Sequence, residues 1–309
     1  WSADTLTEDL DLSYRAQLAG WRTHFLSELE VPGELPDGVA AFKSQQFRWA
    51  KGSIQTAKKL LPRLWRDRDR SVWVKIQATL HLTHYAVHPL MLVVALFTLP
   101  AMLVFPAVFS PGFRLLLAAA MLVSTVGPNA LYVVSQRALY PDWRHRLRWF
   151  PLLMGVGVGL ALSNSRAVAE ALSGKQSEFV RTPKSGGRAR QRYRVRTPIL
   201  PWIELLLGLY CAVSLGAYVG LHRYVLGPFL LIYAGGFFLT GWLGLREARL
   251  QRVASLAATR IPAAPASSPA ADQRTPPRAA LPLPASAPLA LRSWRRPEVY
   301  GSAAAPEKS

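Results

Sequence analysis

The stretch HYAVHPLMLVVALFTLPAMLVFP (His84–Pro106) and the stretch GFRLLLAAAMLVSTVGPNALYVVSQ (Gly112–Gln136) decide the fold class, with a Phe109-Ser110-Pro111-Gly112 turn between them. Each run reaches the roughly 20 apolar residues that a helix needs to cross a hydrocarbon core of about 30 Å. Arg114, the charged residue there, sits near an end where its stem can reach the interface. A second pair of runs, Ile199–Leu221 and Tyr224–Leu245, surrounds Leu221-His222-Arg223. The expectation is two transmembrane hairpins, over residues 84–136 and 199–245.

Composition agrees. Of 309 residues, 50% are hydrophobic, yet 37 Lys+Arg against 18 Asp+Glu leave a net charge of +19. Apolar spans beside basic loops produce that combination, whereas a nucleic-acid binder has no use for long apolar runs. No nucleic-acid partner is therefore expected. The single Cys211 falls inside an apolar run, which excludes a disulfide framework. The chain opens on Trp1 with no signal-peptide pattern, so its start reads as internal to a longer protein.

Outside the hairpins the chain divides further. Residues 1–80 have ordinary mixed polarity and read as part of a soluble α/β domain. Trp149–Leu162 is apolar but only about 14 residues long, short for a span, and continues into an amphipathic Ser163–Gly174. Arg137, Arg144, Arg146 and Arg148 precede it, and Arg181, Lys184, Arg188, Arg190, Arg192, Arg194 and Arg196 follow it. Loops this basic stay in the cytoplasm, and a single crossing cannot put both there. The apolar segment is thus expected to lie along the interface or to dip in and return, so that residues 149–198 form an interfacial helix and a basic loop, the alternative being a tilted short span. From Arg252 on, Ala, Pro and Ser dominate, and residues 251–309 read as a disordered tail. The first zone and the tail are both expected on the cytoplasmic side.

Two clusters in the first zone can carry chemistry. Thr7-Glu8-Asp9 leads into Leu10, Tyr14, Gln17, Leu18 and Trp21 at helical spacing, with Gly20 suited to the closing turn. Asp9 at a helix start would be held ionised by the exposed N–H groups, as a general base for a sugar hydroxyl requires; alone, such an acid is a helix cap. In Gln45-Gln46-Phe47-Arg48-Trp49, a helix puts Gln45, Arg48 and Trp49 on one face. Arg is a fork of donors suited to a phosphate, Gln a neutral donor beside it, and Trp an apolar plate for a sugar ring. His81, His84 and His88 also share a helix face, where interface hydrogen bonding is the simpler reading than a metal site. Lys51–Arg70 is basic and amphipathic through Ile54, Leu60, Leu61, Leu64 and Trp65, and reads as lying on anionic headgroups.

Thr7-Glu8-Asp9, then Gln45-x-x-Arg48-Trp49, then a membrane hairpin resembles the processive family 2 glycosyltransferases. These include cellulose, mannan and hyaluronan synthases, with ceramide glucosyltransferase as a relative. Phe179-Val180-Arg181-Thr182-Pro183-Lys184 is similar to the gating loop of cellulose synthase-like enzymes, with Arg181 where their pattern has Val. Glu34-Leu35-Pro36 and its spacing to Gln45 look most like the cellulose synthase-like group that makes β-mannan and glucomannan. The resemblance covers roughly residues 1–245.

The resemblance implies an α-helical membrane protein, with four transmembrane helices and an interfacial helix, attached to the C-terminal remnant of an α/β GT-A domain. It implies Asp9 as catalytic base, with Glu8, Gln45, Arg48 and Trp49 binding substrate. Phe179, Arg181, Thr182 and Lys184 would belong to the gating loop. Implied partners are a nucleotide-sugar donor, a polysaccharide or glycolipid acceptor and the lipid bilayer of the cell (inner) membrane. A divalent cation, Mg2+ or Mn2+, is implied too, through an Asp-x-Asp motif; Asp9-Leu10-Asp11 has that spelling but lies within the base motif. The cation and nucleotide sites are therefore expected in an upstream N-terminal part, and this stretch alone is expected to be inactive. A lipid glycosyltransferase and a non-catalytic membrane subunit are the alternatives to a polysaccharide synthase.

Overall fold

The computed structural model describes residues 2, 4–26, 29, 31, 33–36, 38–104, 110–177 and 199–260. Its helices are α1 (Glu8–Leu18), α2 (Val39–Arg66), α3 (Val72–Thr83), α4 (Val87–Val104), α5 (Pro111–Leu139), α6 (Trp143–Arg146), α7 (Phe150–Gly159), α8 (Ala161–Leu172), α9 (Ile199–Gly220) and α10 (Gly227–Arg260). There is no strand among the described residues. The sheet of an α/β domain, expected for residues 1–80, is accordingly not represented in the described part of that zone.

Four helical stretches are long and apolar enough to cross a membrane: Val72–Val104, Pro111–Leu139, Ile199–Gly220 and Tyr224–Val253. They fall on the four apolar runs, although the first begins earlier than expected, because α3 continues through a short 3-10 turn into α4. Ser110 starts α5 by accepting a hydrogen bond from the Phe113 amide, and Pro111 follows at the position where a missing N–H costs nothing. The turn between α9 and α10 places His222 in the left-handed region, with φ 55°. The stretch Trp143–Gly159, which ends in α7, and α8 (Ala161–Leu172) pass the same test only as a pair, bent by 42° at their break. α10 runs on to Arg260, into the Ala-rich residues where the tail was expected to have begun. Residues 261–309 lie outside the described part.

Of three packed apolar centres, one of them Met102, Tyr218 and Leu230, two position the rest. Ala95 of α4, Val158 of α7, Ala161 of α8, Cys211 of α9 and Ala234 and Phe237 of α10 form one apolar core. α7 closes on α10 because Gly159 has no side chain: a Cβ there would strike Thr240 and the Gly236 carbonyl. Ile54 of α2 with Val168 and Ala171 of α8, flanked by Tyr85, forms the other. This corrects the headgroup reading of Lys51–Arg70. Ile54, Leu60 and Leu64 are buried inside the protein, and Lys51 is wholly buried.

Candidate active site

α1 and α2 bring the two chemical clusters together. Thr7, just before α1, is buried against Gly52 of α2, where a Cβ would come within 2.6 Å of the Thr7 side chain and 2.7 Å of its backbone nitrogen. The Leu6 amide donates to Gln55 Oε1 at 3.0 Å, and the Thr7 and Thr56 hydroxyls meet at 3.4 Å. Gly52 is seven residues after Gln45, so the start of α1 rests on the same face that displays Gln45, Arg48 and Trp49. Sequence reasoning missed Gly52, because its contact with Thr7 joins residues 45 positions apart.

The carboxylates of this segment differ sharply. Asp9 is the second residue of α1 and exposed; one of its oxygens accepts from the Leu10 amide at 2.8 Å. Glu8 is half-buried. Asp11, two residues on, is fully buried between Arg15 Nε at 2.8 Å and Lys59 Nζ at 3.0 Å. Asp11 therefore fastens α1 to α2, and Asp9 is the carboxylate left facing outward. At its far end α1 is held through Tyr14, whose hydroxyl lies 2.7 Å from His81 Nδ1. Burial pushes the Tyr14 phenol above its usual range, so it stays protonated.

On α2, Trp49 is 46% exposed, and Gln45 and Arg48 are half-buried beside it. The other flank of the helix docks on α8, α9 and α10. Lys43 Nζ bonds both Glu204 carboxylate oxygens, at 2.7 and 2.5 Å. Lys51 Nζ reaches Glu170 at 3.0 Å and Ser177 Oγ at 2.5 Å. The Ala40 amide, in the orphan first turn of α2, donates to Glu247 of α10 at 3.0 Å. Sequence reasoning missed these partners, since nothing in the local pattern of α2 tells which of its lysines is buried.

The three histidines hydrogen-bond. His81 meets Tyr14, His84 Nδ1 lies 2.6 Å from the His81 carbonyl, and His88 Nε2 lies 3.0 Å from Asn164 Nδ2. Phe179, Arg181, Thr182 and Lys184 lie outside the described residues. Among the described residues, no three of His, Cys, Asp and Glu gather as a cation site.

The chain is 26% identical over 253 residues to glucomannan 4-beta-mannosyltransferase 7 of Arabidopsis thaliana, covering 78% of this chain and 43% of that protein. It is 27% identical over 258 residues to probable glucomannan 4-beta-mannosyltransferase 3 of the same plant, covering 78% and 44%. It is 24% identical over 192 residues to glucomannan 4-beta-mannosyltransferase 1 of Oryza sativa subsp. japonica, covering 62% and 35%. It thus spans less than half the length of these relatives. No solved structure gives a significant match. The family profile described as glycosyl transferase family group 2 matches residues 1–239, most of the chain and all of α1 and α2, and the chain belongs to that family.

Proposed function

We propose that the full-length protein transfers sugar from a nucleotide-sugar donor to a growing β-linked polysaccharide of the mannan or glucomannan type, with inversion. The observation that carries this reading is the seat of Thr7 on Gly52, which fixes the outward-facing Asp9 beside the face bearing Gln45, Arg48 and Trp49. The names of the relatives support the mannan or glucomannan product.

In this mechanism Asp9 accepts the proton of the acceptor hydroxyl as that oxygen attacks the anomeric carbon. The bond from that carbon to the nucleoside diphosphate breaks, and the nucleoside diphosphate departs with the bonding electrons on its terminal phosphate. Arg48 and Gln45 hold that developing charge through hydrogen bonds, Glu8 contributes to substrate binding, and Trp49 lies against the acceptor ring. Residues 1–80 are the C-terminal elements of a GT-A domain. A divalent cation would shield the diphosphate, but the described residues offer it no cluster of three His, Cys, Asp or Glu.

The spans lie in the cell (inner) membrane, with the residues before Val72 and the tail cytoplasmic. The bent α7–α8 pair dips into the membrane and returns, because both its flanks are basic. Cysteines at Ser110 and Ser173, in a background without Cys211, test this; only the first should label from outside, and labelling of the second would make the pair a span.

Asp9→Asn in the full-length protein should lower sugar transfer by about 10²–10⁴-fold and spare nucleotide affinity. Arg48→Lys keeps the charge but loses the fork, so it should weaken nucleotide binding by roughly 1.5–3 kcal/mol. Unchanged transfer by the Asn variant would overturn the assignment of the base. Transfer to a membrane lipid in place of a polymer would select the lipid glycosyltransferase reading.

A further inference from the structure

The flank of α2 next to its proposed phosphate face is interlocked with α8 through four side chains. Phe47 and Lys51 are one helical turn apart on α2, and Arg166 and Glu170 one turn apart on α8. The Arg166 guanidinium lies over the Phe47 ring at 5.8 Å, and its Nε donates to Glu170 Oε1 at 3.0 Å. The other oxygen of Glu170 accepts from Lys51 Nζ at 3.0 Å. Lys51 is wholly buried, and the Glu170 side chain is only 11% exposed. At about 100° per residue, Lys51 lies about 60° round the α2 axis from Arg48. The two residues that α8 grips, Phe47 and Lys51, bracket Arg48 in the sequence. Rotating α2 to re-aim Arg48 would break this quartet.

Energetics argues that the pair does more than hold helices together. Removing two charges from water costs several kcal/mol per ion in general, and a well-packed apolar pair of similar size is often as stable or more so. The Lys51 ammonium also bonds Ser177 Oγ at 2.5 Å, five residues beyond the end of α8. Lys58, about 80° round from Arg48 on the same flank, donates to the Ala171 and Leu172 carbonyls at 3.1 and 2.9 Å. The C-terminal turn of α8 and the residues after it are thus fixed to α2 at polar, directional points, which set one rotation. An apolar seam allows several.

We infer that Lys51 and Glu170, with Arg166, are positioning residues that set the rotation of α2 and so the aim of Arg48 at the diphosphate of the departing nucleotide. This rests on the function proposed above. The test is the double variant Lys51→Met/Glu170→Leu in the full-length protein, assayed in detergent with GDP-mannose, GDP-glucose and UDP-glucose in turn. Melting temperature and affinity for the matching nucleoside diphosphate are measured alongside. The expected result is a melting temperature equal to or above the parent's, because the apolar pair replaces the ionic one without loss. Donor kcat/KM and nucleotide affinity should fall together, kcat/KM on the order of 10²-fold, the scale of a misplacement of about 1 Å. A double variant with the parent's kcat/KM and affinity would overturn the inference and leave the proposed function standing. A parent that consumes none of the three sugar nucleotides would overturn both. If the double variant does not fold, Ser177→Ala decides, since it removes only a hydroxyl facing Lys51. A several-fold loss of kcat/KM at the parent's melting temperature supports positioning, and parental kinetics overturn it.

Discussion

α2 is held on two sides by the same chemistry under different conditions. On the side of α8, α9 and α10, lysines meet carboxylates inside the protein: Lys43 with Glu204, whose carboxylate is fully buried, and Lys51 with Glu170. On the side of α1, Lys59 meets Asp11, which is buried, and Asp4, whose side chain is 57% exposed. Lys59 itself is 28% exposed. A lysine–carboxylate distance near 3 Å therefore says little until burial is known. Breaking a buried pair leaves a stranded charge, while an exposed one exchanges its partner for water. The difference also sorts the site. The face proposed for phosphate sits on a helix fixed from behind by buried charge, and the proposed base sits on α1, a short helix held by one glycine seat, the Tyr14–His81 hydrogen bond and a partly wet ion cluster.

The largest effect should come from Lys43→Met, which leaves Glu204 stranded against α2. The expected cost is about 3–5 kcal/mol, visible as a large drop in melting temperature or in recovered folded protein. Restoring the balance with Lys43→Met/Glu204→Leu should recover most of it. If the single variant were as stable as the parent, the two sides of α2 would not differ in the way burial requires.

Gly52→Ala tests the α1 side. The added methyl meets the Thr7 side chain and backbone nitrogen, and a backbone cannot rotate away as a side-chain tip can. Overpacking of this kind costs typically about 1–3 kcal/mol. The strain should be relieved by lifting the start of α1, so sugar transfer should fall further than stability. Gly157→Ala in α7, where nothing lies within 4 Å, is the control and should be neutral or gain up to about 1 kcal/mol from helix propensity. Equal losses of stability and transfer at Gly52 would mean that Thr7 is seated for packing alone.

Much of this was legible from local pattern. The four apolar runs, the start of α1 next to Asp9 and the shared face of Gln45, Arg48 and Trp49 are properties of short windows, where period and length suffice. What failed needed distant partners. Lys51 reads as a headgroup lysine because its ion partner, Glu170, is 119 residues away, on a helix whose own mixed polarity suggested an interface. Gly52 reads as an ordinary helical glycine until Thr7 is laid on it. Asp11 and Asp9 are identical in sequence terms, and only Arg15 and Lys59 separate the structural carboxylate from the exposed one.

The smallest effect, and the sharpest on the wet side of the comparison, is the pH response of Asp4. Its carboxyl is held down to about 2, first by the hydrogen bond from Lys59 and then by that from Ser2, at 2.8 and 2.6 Å. The unfolded value is about 3.9, so the folded value is the lower one. The stabilisation is therefore complete above about pH 4 and is lost as pH falls through about 2. Because Asp4 is mostly in solvent, screening leaves well under about 1 kcal/mol. Asp4→Asn should then lower the melting temperature at pH 6 by only about 1 °C, with the gap closing as pH approaches 2 and shrinking in about 1 M salt, where charges are screened beyond roughly 3 Å. The deficit of Lys43→Met should persist in the same salt, because water and ions do not reach Glu204. An Asp4→Asn gap that ignored both salt and acid would show that this side of α2 is as dry as the other.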